Sequence, residues 1–257
     1  MTFLDRYRPL TGITLLLLGG IASQARAETA AEAPANTFAT KISVYSEYEY
    51  RGITQTSENP ALQLNLDYTH SSGFYLGFFA SNIQWLKDTA KAAGASTNAQ
   101  VELDFFGGYR RELVKDLTLD VGYLRYEYPQ SGIFNPKPNT NELYAGLTYG
   151  PVNVKASYST GNTFGVANSR GSTFLELNAS KTFFEKWTVN AQIARQTFKR
   201  NGALSYNVYK LGGTYDFGDG WNAGAYYKTT SAEEASYTIL NKDWSKGRLV
   251  GFVSKAF

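Results

Sequence analysis

The sequence predicts an all-β chain: a transmembrane, antiparallel, up-and-down β-barrel of about twelve strands. Three observations carry this. From Phe38 onward, segments of roughly 9–13 residues alternate apolar and polar side chains with period two. The connections between them alternate short and long, as in outer-membrane barrels with tight periplasmic turns and longer outer loops. The composition is poor in charge, at 18%, and rich in aromatics, with 4 Trp, 19 Tyr and 16 Phe among 257 residues.

The first element is a leader. Arg6 and Arg8 precede an apolar run from Ile13 to Ala22, and Ala25-Arg26-Ala27 supplies a small-x-small cleavage site. This is the pattern of a secretory signal peptide over residues 1–27, with an apolar centre too short to span a bilayer as a helix. Its removal takes away three Arg and one Asp and lowers the formal net charge from +3 to +1. A nearly neutral mature chain gives no electrostatic footprint for nucleic acid. Residues 28–37, small and Ala-rich, are expected as a flexible periplasmic tail. The barrel is expected over 38–257, in the outer membrane of a Gram-negative cell.

Twelve strands are expected at about 38–50, 61–70, 74–84, 99–109, 117–127, 140–149, 152–160, 172–182, 187–198, 205–217, 221–230 and 245–257. Total counts from about ten to fourteen fit the same spacing. In the second strand Leu62, Leu64, Leu66 and Tyr68 interleave with Gln63, Asn65, Asp67 and Thr69; in the seventh Val152, Val154, Ala156 and Tyr158 interleave with Asn153, Lys155, Ser157 and Ser159. No helical periodicity competes with this. Ser71-Ser72-Gly73, Gly150-Pro151 and Gly218-Asp219-Gly220 supply turn chemistry, and Gly107-Gly108 and Gly212-Gly213 within strands suit barrel curvature. A soluble sandwich would also alternate. Trp187 and Trp221 after short turns, and Trp85 and Trp244 beside long loops, instead predict two aromatic girdles of a membrane barrel. Lys181, Lys255, Arg125 and Arg195 interrupt the apolar faces only near strand ends. The final strand closes on Phe257, resembling the signal read by the barrel-assembly machinery of Gram-negative outer membranes.

Residues 43–83 carry a more specific pattern. An aromatic strand runs into Arg51-Gly52-Ile53-Thr54-Gln55, followed by Pro60-Ala61, Asp67-Tyr68-Thr69-His70, Ser72-Gly73 and Ser81-Asn82. This stretch resembles the opening of the TorF family of porins, and the Ser254-Lys255-Ala256-Phe257 end agrees with it. The resemblance implies an outer-membrane porin barrel, without naming a solute.

Little in the chain supports chemistry. Having no Cys excludes thiol chemistry, and one His leaves little room for histidine-based metal sites. A lipid hydrolase would need His70 behind a serine, but His70 belongs to the Ser71-Ser72-Gly73 turn. No cofactor, metal or catalytic residues are expected. The informative surface is the lumen. If apolar positions face lipid, the opposite parity places Glu47, Glu49, Asp67, Glu102, Asp104, Asp120 and Glu142 inside the first six strands, with Arg51 at the outer mouth. Lys155, Lys210, Lys228 and Arg248, with Glu176 and Asp216, line the other six. Acidic and basic walls would then oppose each other across the pore. The expected function is passive diffusion of small hydrophilic solutes or ions. The alternative is a closed structural or surface-interaction barrel in which these charges pair and fill the lumen. Oligomeric state is left open.

Cleavage after Ala27 gives a mature chain beginning at Glu28. Intact-mass measurement of membrane-extracted protein checks this, and a mass that retains residues 1–27 rejects the signal peptide.

Overall fold

The computed structural model describes residues 36–257. The signal peptide and tail expected over residues 1–35 lie outside the described residues. Twelve strands form one closed antiparallel barrel. They are β1 (Asn36–Tyr45), β2 (Ala61–His70), β3 (Phe74–Asn82), β4 (Val101–Val114), β5 (Leu117–Glu127), β6 (Thr140–Tyr149), β7 (Val152–Ser159), β8 (Thr173–Phe183), β9 (Trp187–Thr197), β10 (Tyr206–Gly218), β11 (Trp221–Thr230) and β12 (Arg248–Ala256). Each strand pairs with its chain neighbours. β1 closes the ring, running against β2 from Asn36↔His70 to Tyr45↔Ala61 and against β12 from Lys41↔Ala256 to Tyr45↔Phe252.

The side chains are inverted relative to a soluble sandwich. Leu211 and Ile193 are 61% and 58% exposed on the outer wall, whereas Gln196 and Lys228 are 1% and 0% exposed inside. An apolar exterior around a polar interior is what period-two alternation produces when the solvent outside is lipid. The short turns gather at one end and the long loops at the other. At the short-turn end, outward aromatic rings meet in pairs: Phe38 with Tyr68 at 4.9 Å, Phe74 with Tyr109 at 5.0 Å and Trp187 with Tyr215 at 4.7 Å.

Four expectations need correction. β1 starts two residues before Phe38 but ends at Tyr45 instead of residue 50, because the chain then turns into the barrel. β4 continues to Val114, so its turn is only Lys115-Asp116; the polar run Arg110-Arg111-Glu112 hides this extension from a pattern search. A helix is present, α1 (Trp85–Ala92), which buries Leu86 and Ala90 one turn apart. At eight residues it is too short for its period to compete with the strands around it. Finally, Trp85 and Trp244 do not form a girdle. Trp244 is buried, and Trp85 packs edge-on against Tyr128 at 5.4 Å. Outward aromatics on the long-loop half of the wall include Phe105, Tyr123, Tyr158, Tyr209 and Tyr227.

Tight glycines let inward rings lie flat on the wall. A Cβ at Gly122 would strike the Tyr144 hydroxyl and the Gly107 carbonyl. Gly122→Ala should therefore lower stability by roughly 1–3 kcal/mol, whereas Gly132→Ala, with nothing near the added carbon, should stay within about 0.5 kcal/mol. Urea unfolding in detergent micelles compares them.

Candidate functional site: a hairpin across the lumen

After Tyr45 the chain leaves the wall. Ser46 N–H donates to the Gly251 carbonyl at 2.8 Å and Ser46 Oγ accepts from Gly251 N–H at 3.0 Å, fixing the exit. Residues 46–60 then fold inward as a small hairpin. Glu49–Tyr50 pairs with Ile53–Thr54, and Gln55 N–H donates to the Tyr48 carbonyl at 2.7 Å. Arg51 and Gly52 form its tip, both with positive φ, at 49° and 85°. Glycine suits the second position because a Cβ there would meet Thr230 of β11 and Val208 of β10.

The tip is anchored by charge. Arg51 makes a bidentate pair with Glu142 of β6, with Nη1–Oε1 at 3.0 Å and Nη2–Oε2 at 2.7 Å. Its Nη1 also donates to Gln196 Oε1 of β9 at 2.9 Å, and its guanidinium lies 4.3 Å from the Phe174 ring centre of β8. Lys228 Nζ donates to the Gly52 carbonyl at 2.9 Å, and Lys210 pairs with Glu49. The base is tied at the rim. Arg248 pairs with Glu58 at 2.5 Å, Lys242 Nζ donates to the Ser57 carbonyl at 3.2 Å, and Thr54 N–H donates to the Trp244 carbonyl at 3.1 Å. α1 lies on the hairpin, with the Gln55 carbonyl accepting from Gln84 and Trp85 N–H groups.

The space beneath the hairpin divides in two. Along β3 to β6 it is filled by Tyr48, Tyr75, Phe79, Leu124, Tyr126 and Tyr144. Glu102 accepts from the Tyr48 hydroxyl at 2.6 Å, and Asp120 accepts from the Tyr75 hydroxyl at 2.6 Å and from Arg110 at 3.2 Å. Asp104 is fully buried and its carboxylate makes no hydrogen bond among the described residues. Along β7 to β12 a cavity of about 680 Å³ runs from the hairpin to the short turns. Its walls set the amides and hydroxyls of Asn178, Asn190, Gln192, Asn222, Thr188 and Thr214 beside the apolar surface of Tyr45, Phe79, Leu124, Phe174, Tyr226 and Phe252. Glu176 accepts from Asn178 at 3.0 Å and from Gln192 at 2.9 Å, while Lys155 Nζ lies 4.2 Å from the Tyr144 ring centre.

Of the residues expected inside, Glu47, Glu49, Arg51, Lys155, Glu176, Lys210 and Asp216 border this cavity. Asp67, Glu102, Asp104, Asp120, Glu142, Lys228 and Arg248 do not. Two opposed charged walls therefore do not face each other across open space, because tyrosines and the hairpin cover the acids of β4 to β6. Arg51 is at the long-loop end as expected, but it reaches the far wall from a hairpin and does not ring the mouth. Sequence reading passed over Lys41 and Arg110. Each shares parity with inward neighbours, Lys41 with Ser43 and Tyr45, Arg110 with Glu102 and Asp104. It also passed over the inward tyrosines, which alternation does not sort because tyrosine suits both faces. His70 Nδ1 meets Ser72 Oγ at 2.6 Å within their turn, and no carboxylate contacts the ring among the described residues.

A family model described as a bacterial protein of unknown function, Gcw_chp, matches residues 28–257. The chain belongs to the Gcw_chp family. No curated protein matches this Gcw_chp chain in sequence. Among solved structures, it is similar to the KdgM porin, with TM-score 0.53 and 9% identity over 85% of this chain and 98% of that one. The KdgM porin in complex with disordered oligogalacturonate gives 0.52 and 10%, over 86% and 98%. The NanC porin gives 0.51 and 9%, over 86% and 99%. At such identities the likeness concerns the barrel fold.

Arg51→Ala would leave Glu142 and Gln196 of this Gcw_chp barrel buried without their partner. Unfolding in detergent should show a loss of roughly 3–5 kcal/mol. Arg51→Lys should rescue little, since an ammonium lacks the planar fork. At the rim, the hydrogen bond from Arg248 holds the Glu58 carboxyl below its ordinary 4.5. The stabilisation is complete above that pH and is lost as acid takes the pH through the lowered value. Being exposed, the pair contributes little. Melting temperatures of wild type and Glu58→Gln should differ slightly at neutral pH and converge in acid.

Proposed function

We propose that this chain is an outer-membrane channel for passive diffusion of small hydrophilic solutes, gated at its long-loop end by hairpin 46–60. The observation that carries this reading is the cavity inside a wall with an apolar exterior, lined by charges, amides and hydroxyls among aromatic rings. Such a lumen offers charges and hydrogen bonds to a polar solute beside aromatic faces on which its apolar edges can rest. The fold likeness to barrels named as porins, one of them holding oligogalacturonate without a fixed pose, agrees with weak, multi-site contact along a polar lumen. So does the TorF-like stretch, whose Arg51-Gly52-Ile53-Thr54-Gln55 is the hairpin tip and its return strand.

In this reading residues 1–27 are cleaved, the short tail and the tight turns face the periplasm, and the long loops face outward. Phe257 is the residue read by the assembly machinery, and lipid surrounds the wall. The aqueous path is lined by Glu47, Glu49, Arg51, Lys155, Glu176, Lys210 and Asp216. No bond is made or broken in it. The second reading, a closed structural barrel, is favoured by the hairpin itself, since Arg51–Glu142, Lys210–Glu49 and Lys228 tie it across the lumen.

Conductance of refolded protein in planar bilayers separates the two. Wild type should give small, intermittent openings, and replacing residues 47–58 by a short Gly-Ser bridge should give larger, steady ones. Silence from both would establish the closed barrel. Lys155→Gln with Lys210→Gln should shift the reversal potential toward cation selectivity. The shift should be largest at low salt, because the screening length is about 10 Å at 0.1 M.

A further inference from the structure

Charge on the long-loop end is unevenly spread. Loops 128–139, 160–172 and 198–205 carry Lys137, Arg170, Lys199 and Arg200 and no Asp or Glu. The remaining long loops, 46–60, 83–100 and 231–247, mix both signs. The three basic loops form one continuous surface. Phe164 N–H donates to Thr140 Oγ1 at 2.8 Å, and Gly165 packs against Pro136 and Pro138. Asn201 Nδ2 donates to the Ala167 carbonyl at 3.0 Å, and Lys199 N–H donates to Ser172 Oγ at 3.0 Å. All four cations are exposed. Among the described residues none has a carboxylate within 4.0 Å.

A fifth cation extends this surface down the outer wall. Arg195 is exposed on the outward face of β9, opposite Leu175 in register and held by Asn207 at 3.0 Å, again without a carboxylate. Ile193, Leu175 and Tyr158 beside it begin the apolar band. Cations therefore stand at and just above the boundary between apolar wall and polar loops. The sector ends where Tyr237 donates to the Leu204 carbonyl at 2.6 Å, because the loop that follows carries Glu233 and Glu234.

We infer that the sector formed by Arg170, Arg195, Lys199 and Arg200 binds the phosphate groups of lipid headgroups in the leaflet that the long loops face. The inference rests on the membrane reading above. Guanidinium groups match phosphate oxygens in pairs, and a cation beside an anionic surface contributes about fivefold in affinity. An apolar wall directly below lets the acyl chains of the same lipid pack while its phosphate meets the arginines. This union of apolar contact and phosphate contact favours a lipid over a free anion.

The test uses full mature protein in phosphatidylcholine vesicles containing either phosphatidic acid or diacylglycerol with the same acyl chains. Retained lipid is counted by native mass spectrometry after gentle extraction. Wild type should retain phosphatidic acid in preference to diacylglycerol. The variant Arg170→Gln/Arg195→Gln/Lys199→Gln/Arg200→Gln should retain at least tenfold less of it, and Lys115→Gln/Lys181→Gln, at the short-turn end, should lose less than twofold. Equal retention of the two lipids, unchanged retention by the fourfold variant, or displacement by millimolar inorganic phosphate alone would each overturn the inference. Heat-dependent gel mobility is read on every sample. If wild type itself lacks a compact unheated band, the barrel reading fails and the lipid site falls with it; a compact band with no lipid preference removes the lipid site alone.

Discussion

Closure of the hydrogen-bonded ring governs everything else in this molecule. In lipid, a wall that turns Leu, Ile and Val outward would have no water beside it to receive unpaired N–H and C=O groups. Every strand must therefore find two partners. β1 meets this condition by pairing along its whole length with β2 and over its last five residues with β12. Once the ring is closed there is no edge, and the polar half of each strand has only the interior to occupy.

Twelve strands enclose a limited volume, and the chain divides it unequally. Along β3 to β6 tyrosines fill it, resting on glycines and hydrogen-bonding buried carboxylates through their hydroxyls. A tyrosine serves both needs at once, since its ring supplies volume and its hydroxyl supplies a donor. Along β7 to β12 shorter amides and hydroxyls leave a cavity. The hairpin crosses above both halves. Glu49 and Arg51 are removed from water there, and they are tolerated because Lys210 and Glu142 meet them. Arg51 illustrates this, with a carboxylate, an amide and an aromatic face all around one guanidinium. The same arrangement ties the hairpin tip to β6, β8 and β9 at once.

The barrel was largely legible in the sequence because strand parity is a local property. Leu62 and Gln63 fall on opposite faces whatever surrounds them, and Gly150-Pro151 turns wherever it occurs. The strand boundaries failed where polarity interrupts the pattern on a continuing strand, as at Arg110-Arg111-Glu112. They failed also where alternation persists beyond the wall, as in Glu47-Tyr48-Glu49-Tyr50. That stretch reads as more of β1, and it does contain a strand, but one paired with its own return through Ile53–Thr54. Trp85 and Trp244 were misread for a related reason. A tryptophan beside a long loop anchors equally well in a lipid interface or in a loop folded over the barrel mouth.

By itself the sequence determined the closed all-β architecture, the apolar exterior and polar interior, the end at which the short turns gather, and the inward parity of residues such as Lys155, Glu176 and Lys210. Each follows from backbone period and turn chemistry, which act over a few residues. Only the tertiary structure decided that residues 46–60 cross the lumen, that Arg51 meets Glu142, and that Glu102, Asp104 and Asp120 lie behind tyrosines away from the cavity. The physical reason is separation along the chain. Arg51 and Glu142 stand 91 residues apart, and only closure of the ring brings β6 within reach of a hairpin that leaves the wall after β1.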